Sequence, residues 1–249
     1  MLDGGDFHIA NFEPIHETMK LVLLPGMDGT GIMFEPLIRA LPPEISPVVQ
    51  SYPGDVPLSY AELLPMVRAA LPTTEPFILL GESFSGPLAL RIASTRPSGL
   101  KGLILCASFV YNPIRFFPRA CRRLIRPFLF SYWPPWFRLR ALLGGYSTPA
   151  LFKLVERSHA AVTPAVLAAR AREVIGIDAE DALSACCVPL LYIAGSRDRV
   201  VPKQNLRRIK SAYPNVKVVI LPAPHLVLQA APQAAAEVIA EFAASVSGR

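Results

Sequence analysis

The sequence predicts an α/β fold: a mostly parallel sheet flanked by helices on both faces. Three observations lead there. Short apolar runs of strand length recur along the chain, and helical stretches separate them. The runs are continuous rather than alternating, as a strand covered on both faces requires. The 249 residues suit one such domain carrying an insertion. With 52% apolar and 18% charged residues, the chain can bury a sizeable core.

Residues 20–25 read as the first central strand, followed by the glycine-rich turn Gly26-Met27-Asp28-Gly29-Thr30-Gly31. A helix is expected over 32–41, stopped by Pro42 and Pro43. A strand over 48–52 and a helix over 60–71 come next, the helix capped by Ser59 and carrying Pro65 as a blemish within it. Residues 77–80 read as a strand, 84–94 as a helix and 103–107 as a strand. The alternation then stops. Residues 109–184 hold helical pieces and many prolines but no strand pattern, which predicts a helical cap inserted into the core formed by 1–108 and 185–249. Strands over 189–194 and 216–221 resume the pattern, with helices over 203–212 and 233–246.

The chemistry is written where strands end. Gly81-Glu82-Ser83-Phe84-Ser85-Gly86 lies between an apolar strand and an apolar helix. A serine there sits on a sharp strand-to-helix turn, which needs small neighbours; Gly81, Ser85 and Gly86 are small, with Ser85 where the strict pattern has glycine. A serine hydroxyl needs a base. Of His8, His16, His159 and His225, only His225 follows a strand at the sheet's carboxyl edge, in the run after the last strand. The acid that orients the base should fall between them, and Asp198, directly after the penultimate strand, fits. Asp178, Glu180 and Asp181 compete in the same interval but sit in a polar patch with no strand before it, and Arg197 and Arg199 offer Asp198 a plain surface ion pair as its other role. A developing oxyanion needs backbone donors; Phe84 N–H, after the serine, and Met27 N–H, in the loop after the first strand, are the candidates. The same glycines could suggest a dinucleotide loop, but their spacing is GxxGxG and no acidic residue closes the next strand.

Taken together, Leu23 to Gly31, Gly81 to Gly86, Gly195-Ser196-Arg197-Asp198 and Pro224-His225 resemble the α/β-hydrolase superfamily. They are similar to its small bacterial esterase-like members and to the hydrolase part of plant phytyl-ester synthases. The resemblance implies an α/β-hydrolase fold, an ester, thioester or related acyl substrate, and no metal or organic cofactor. Two departures stand out: Pro25-Gly26 where many members have His-Gly, and a short N-terminal segment where many place two extra strands.

The formal charge of +6 is unevenly placed. No Asp or Glu occurs between Glu82 and Glu156, while Arg115, Arg119, Arg122, Arg123, Arg126, Arg138 and Arg140 all fall there. Arg115, Arg119, Arg122 and Arg126 recur at helical spacing beside an apolar side, and an aromatic run, residues 128–137, follows. An amphipathic cap helix over the active site explains this pattern; contact with an anionic membrane surface or an anionic substrate are the alternatives. No nucleic-acid module is present, so nucleic acid is not an expected partner. The expected partner is a small, hydrophobic ester. Cys106, Cys121, Cys186 and Cys187 form no CxxC pair, and the acidic start lacks a signal-peptide pattern, so a reduced, cytoplasmic protein is expected.

Overall fold

The computed structural model describes residues 18–114, 118–131 and 134–248. Six strands, β1 (Met19–Leu24), β2 (Ile45–Val49), β3 (Phe77–Glu82), β4 (Leu100–Cys106), β5 (Leu190–Gly195) and β6 (Lys217–Leu221), form one sheet in the order β2-β1-β3-β4-β5-β6. Every neighbouring pair is parallel. The six strands expected from the sequence are therefore present. β2 starts earlier than expected, at Ile45, because Pro47 is tolerated within it: β2 is an edge strand, paired to β1 alone.

The continuous apolar runs have the predicted cause. In β1, Leu21 and Leu23 face one side of the sheet and Val22 and Leu24 the other, all fully buried. Helices α1 (Glu35–Ala40), α2 (Tyr60–Ala69) and α3 (Gly86–Ala93) follow the first three strands. Between β4 and β5 lie a 3-10 helix (Arg119–Leu124) and α4 (Phe128–Ser131), α5 (Pro135–Leu142), α6 (Pro149–Ala160), α7 (Pro164–Gly176) and α8 (Glu180–Ser184). Helix α9 (Lys203–Ala212) joins β5 to β6, and α10 (Val227–Ala230) and α11 (Pro232–Ser247) come last. Leu63, Leu88, Leu183 and Ile209, from α2, α3, α8 and α9, pack on one face of the sheet. Leu37, Val227, Ile239 and Phe242, from α1, α10 and α11, pack on the other.

Ser59 caps α2 as expected: its hydroxyl accepts from the Glu62 amide, and the Glu62 carboxylate accepts from the Ser59 amide at 2.8 Å. The expected amphipathic helix through Arg119–Arg126 is instead the short 3-10 turn, because Pro118 and Pro127 leave too little chain for an α-helix to propagate. Arg115, which belonged to that expectation, lies outside the described residues.

Candidate active site

The strand order reverses direction between β1 and β3, so the loops leaving their carboxyl ends diverge and open a crevice. Ser83 stands there. β3 ends at Glu82, and the chain enters a 3-10 turn (Ser83–Ser85) before α3 begins at Gly86. Ser83 has φ +45°, a left-handed conformation that strains a residue with a side chain. The turn is tight enough to dictate its neighbours. A Cβ on Gly81 would come within 2.7 Å of the Ser85 carbonyl oxygen, and one on Gly86 within 2.7 Å of the Ser108 Cβ.

Ser85 does more than fit. Its buried hydroxyl donates to the Pro25 carbonyl and accepts from the Tyr52 hydroxyl at 2.7 Å, tying the turn to the loop after β1. A glycine could not make that tie. On the far side, the Ser108 hydroxyl donates to the Ser83 carbonyl at 2.6 Å, and the Tyr192 hydroxyl donates to the Ser108 carbonyl at 2.6 Å.

His225 lies in the loop between β6 and α10, and Asp198 in the loop after β5. The structure brings both to Ser83. Ser83 Oγ is 3.0 Å from His225 Nε2, and His225 Nδ1 is 2.9 Å from an Asp198 carboxylate oxygen. The other Asp198 oxygen accepts from the Val200 and Val201 amides at 2.7 and 3.0 Å, so the carboxylate is held on both oxygens. The side chains are 4% and 9% exposed, which removes water that would compete for these bonds. An ionised Asp198 places the imidazole proton on Nδ1 and leaves Nε2 free to accept from the serine hydroxyl. The two loops are held together by backbone bonds, Ser196 N–H to Leu221 O at 2.8 Å and Arg197 N–H to Ala223 O at 3.0 Å. Gly195 permits that approach, since a Cβ there would lie 2.2 Å from the Pro224 carbonyl oxygen.

The competing acids are elsewhere. Asp178 pairs with Arg119 at 3.0 Å, Glu180 pairs with Arg208 at 3.2 Å, and Asp181 sits beside Glu180 in the first turn of α8. His159 is in α6; His8 and His16 lie outside the described residues.

The loop carrying Met27 passes over the serine turn: a Cβ built on Gly26 would stand 4.0 Å from the Ser83 Cβ. Phe84 follows Ser83 within the turn. Its ring stacks on Tyr60 at 4.6 Å, and the Tyr60 hydroxyl donates to its carbonyl at 2.6 Å, so the turn backbone is fixed from both sides.

Sequence reasoning missed two charged residues that hold this loop. Arg170, from α7, is 1% exposed. Its Nη1 donates to the Met27 and Asp28 carbonyls at 2.9 and 2.7 Å, and Nη2 donates to the Pro53 carbonyl at 2.9 Å. Burial pulls its pKa below the ordinary value, and nearby Asp28 opposes that. A sequence signal existed: Arg170 interrupts the buried stripe Val166, Leu167, Val174 of its helix. The second is Glu82, buried one residue before the serine. Its carboxylate accepts from Gln229 Nε2 at 2.9 Å and from the Gly26 amide. Burial drives its pKa up to about 7; Gln229, His225 and the Gly26 amide oppose the rise and Asp28 adds to it. Its signal was a carboxylate closing an otherwise apolar strand.

Among the described residues, no cluster of three or more His, Cys, Asp or Glu side chains could hold a metal ion, and no helix is long and apolar enough to cross a membrane.

A family model, the alpha/beta hydrolase family, matches residues 21–238. The chain therefore belongs to the α/β hydrolase family. It is 32% identical over 122 residues to phytyl ester synthase 1, chloroplastic, of Arabidopsis thaliana, a stretch that is 47% of this chain and 17% of that protein. Its fold is similar to that of the enol-lactonase from Burkholderia xenovorans, with a TM-score of 0.77, 16% identity, and coverage of 91% of this chain and 92% of the other. A thermophilic esterase from Thermogutta terrifontis is similar too, with a TM-score of 0.75, 20% identity, and coverage of 92% and 90%.

Proposed function

We propose that this chain is a serine hydrolase that cleaves a carboxylic ester or thioester with a hydrophobic acyl part. The observation that carries the reading is the continuous hydrogen-bonded line from Ser83 through His225 to Asp198 at the carboxyl edge of the sheet. Ser83 Oγ attacks the acyl carbonyl carbon while His225 Nε2 takes its proton, and Asp198 stabilises the imidazolium that forms. The Met27 and Phe84 amides receive the oxyanion. Collapse of the tetrahedral intermediate breaks the bond to the leaving oxygen or sulfur, which takes the proton from His225 and departs as alcohol or thiol. Water, deprotonated by His225, then releases the acid and restores Ser83. The 109–184 insertion acts as the cap. Leu139, Leu143, Leu154 and Val155 from it cluster with Met33 and with Leu226, the neighbour of His225, which supports an apolar acyl group beside the base.

A second reading is acyl transfer to an alcohol. The plant relative is named for ester synthesis, and an acceptor alcohol can replace water in the second half of the same cycle.

The test is hydrolysis of p-nitrophenyl esters from acetyl to palmitoyl by wild type, Ser83→Ala and Asp198→Asn. Turnover that vanishes in Ser83→Ala and drops about 10⁴-fold in Asp198→Asn is expected, with an optimum above the shortest chains. Added alcohol that diverts acyl groups from acid to ester supports transfer. Turnover retained by Ser83→Ala removes the nucleophile and the reading with it.

A further inference from the structure

Residues 118–131 form an outer edge of the segment between β4 and β5. Within it only Cys121, Ile125 and Phe130 turn inward. Ile125 packs on Ala168 and Ile175 of α7, and Phe130, like Met27, packs against Val166 and Leu167 of the same helix. Leu124, Phe128 and Leu129 point out, 66%, 57% and 40% exposed. Arg122, Arg123 and Arg126, in the same stretch, are exposed too. Arg119 is different, because Asp178 and the Ile177 carbonyl already hold it. The sequence offers these arginines no acid of their own segment, since none occurs between Glu82 and Glu156.

Single apolar side chains on a surface are ordinary, but three within six residues, interleaved with guanidinium groups, mark an interaction surface. Two chemistries must be met at once: apolar groups need a place out of water, and arginines need anionic oxygens at the same depth or slightly above. Nucleic acid would satisfy the arginines and leave Leu124, Phe128 and Leu129 hydrated. An anionic phospholipid surface satisfies both.

We infer that this edge docks on an anionic phospholipid bilayer, with Leu124, Phe128 and Leu129 entering the acyl boundary and Arg122, Arg123 and Arg126 lying at the head-group phosphates. Docking does not rest on the proposed ester chemistry. Where that chemistry holds, Val166 and Leu167 of α7, against which both Phe130 and Met27 pack, join the docked face to the loop over Ser83, so a hydrophobic ester reaches the site from the lipid rather than from water.

The test uses the full chain with Ser83→Ala, so that binding is read without turnover. Sedimentation is measured with vesicles of phosphatidylcholine and with vesicles of phosphatidylcholine and phosphatidylglycerol in equal parts. Binding to the mixed vesicles alone is expected, weakened by salt. A blue shift of tryptophan fluorescence should accompany it, since both tryptophans, Trp133 and Trp136, follow this edge directly. Arg122→Gln/Arg123→Gln/Arg126→Gln should weaken binding about a hundredfold, roughly fivefold per arginine. Leu124→Ser/Phe128→Ser should weaken it with the charges intact. A folded protein that ignores mixed vesicles, that binds neutral ones equally well, or whose triple arginine variant binds unchanged overturns the inference. So does self-association abolished by Leu124→Ser/Phe128→Ser, or RNA binding, in a protein that leaves vesicles alone.

Discussion

The carboxyl end of the sheet and the outer edge at 118–131 use the same residue types to opposite ends. Around Ser83, leucine and phenylalanine are buried, and Arg170 is sealed in with three carbonyl acceptors. At the edge, Leu124 and Phe128 stand in water beside exposed arginines. Backbone geometry makes the difference. Strands and longer helices pair their own amides and carbonyls and present flat or striped faces that neighbours can cover. The 3-10 turn Arg119–Leu124 and the four-residue α4, with Pro127 between them, are each too short to form such a stripe, so most of their side chains stay exposed. Apolar content alone therefore does not say what is core; the period that secondary structure imposes does.

Arg170 is where the two regions meet, since its helix carries the outer edge on one side and the loop over Ser83 on the other. Arg170→Met keeps the apolar stem and removes the donors to Met27, Asp28 and Pro53. Turnover of the preferred p-nitrophenyl ester should fall about 100-fold in kcat with KM nearly unchanged, because a shifted loop misplaces the Met27 amide proposed as an oxyanion donor. Urea unfolding should show a loss of about 3 kcal/mol from the stranded carbonyls. Arg170→Lys should recover little of either, as one ammonium cannot reach three acceptors in a fixed fork. Unchanged kcat in a destabilised Arg170→Met would mean the loop keeps its shape without the arginine.

The six strands and the convergence of Ser83, His225 and Asp198 were legible because each rests on a local signal: a buried run, a small-residue turn, and a polar residue just past a strand's carboxyl end. Two kinds of feature were not. Ser85 reads as a tolerated substitute for glycine, yet its hydroxyl joins Tyr52 and Pro25, partners 33 and 60 residues away. Glu82 and Gln229 are 147 residues apart and look like unrelated polar residues until the sheet and α10 bring them together. The 119–126 stretch failed for another reason. Spacing of arginines at three and four residues suggests a helix, but proline limits on both sides outweigh it.

Glu82 tests how closed the site region is. Its folded pKa of about 7 exceeds the ordinary 4.5, so its contribution to stability is fully present below about pH 4.5 and is lost as pH rises through about 7. Glu82→Gln stays neutral and lacks that loss. Between about pH 5 and pH 8 the unfolding free energy of wild type should fall relative to Glu82→Gln by about 2 kcal/mol. Chemical denaturation at both pH values measures it. A difference that does not change with pH would mean water reaches the carboxylate, and that the sheet end is as open as the outer edge.

The smallest expected effect is the sharpest control on the comparison. Leu105, in β4, and Leu124, in the 3-10 turn, are the same side chain, one fully buried and the other 66% exposed. Leu105→Ala should cost about 2–5 kcal/mol, through lost transfer energy and the cavity left behind. Leu124→Ala should fall within about 0.5 kcal/mol of wild type, since nothing packs around it to collapse. Paired urea curves decide between them. If Leu124→Ala destabilises as Leu105→Ala does, the edge is part of the core, its apolar groups already have their cover, and the reason to bring a lipid surface to them disappears.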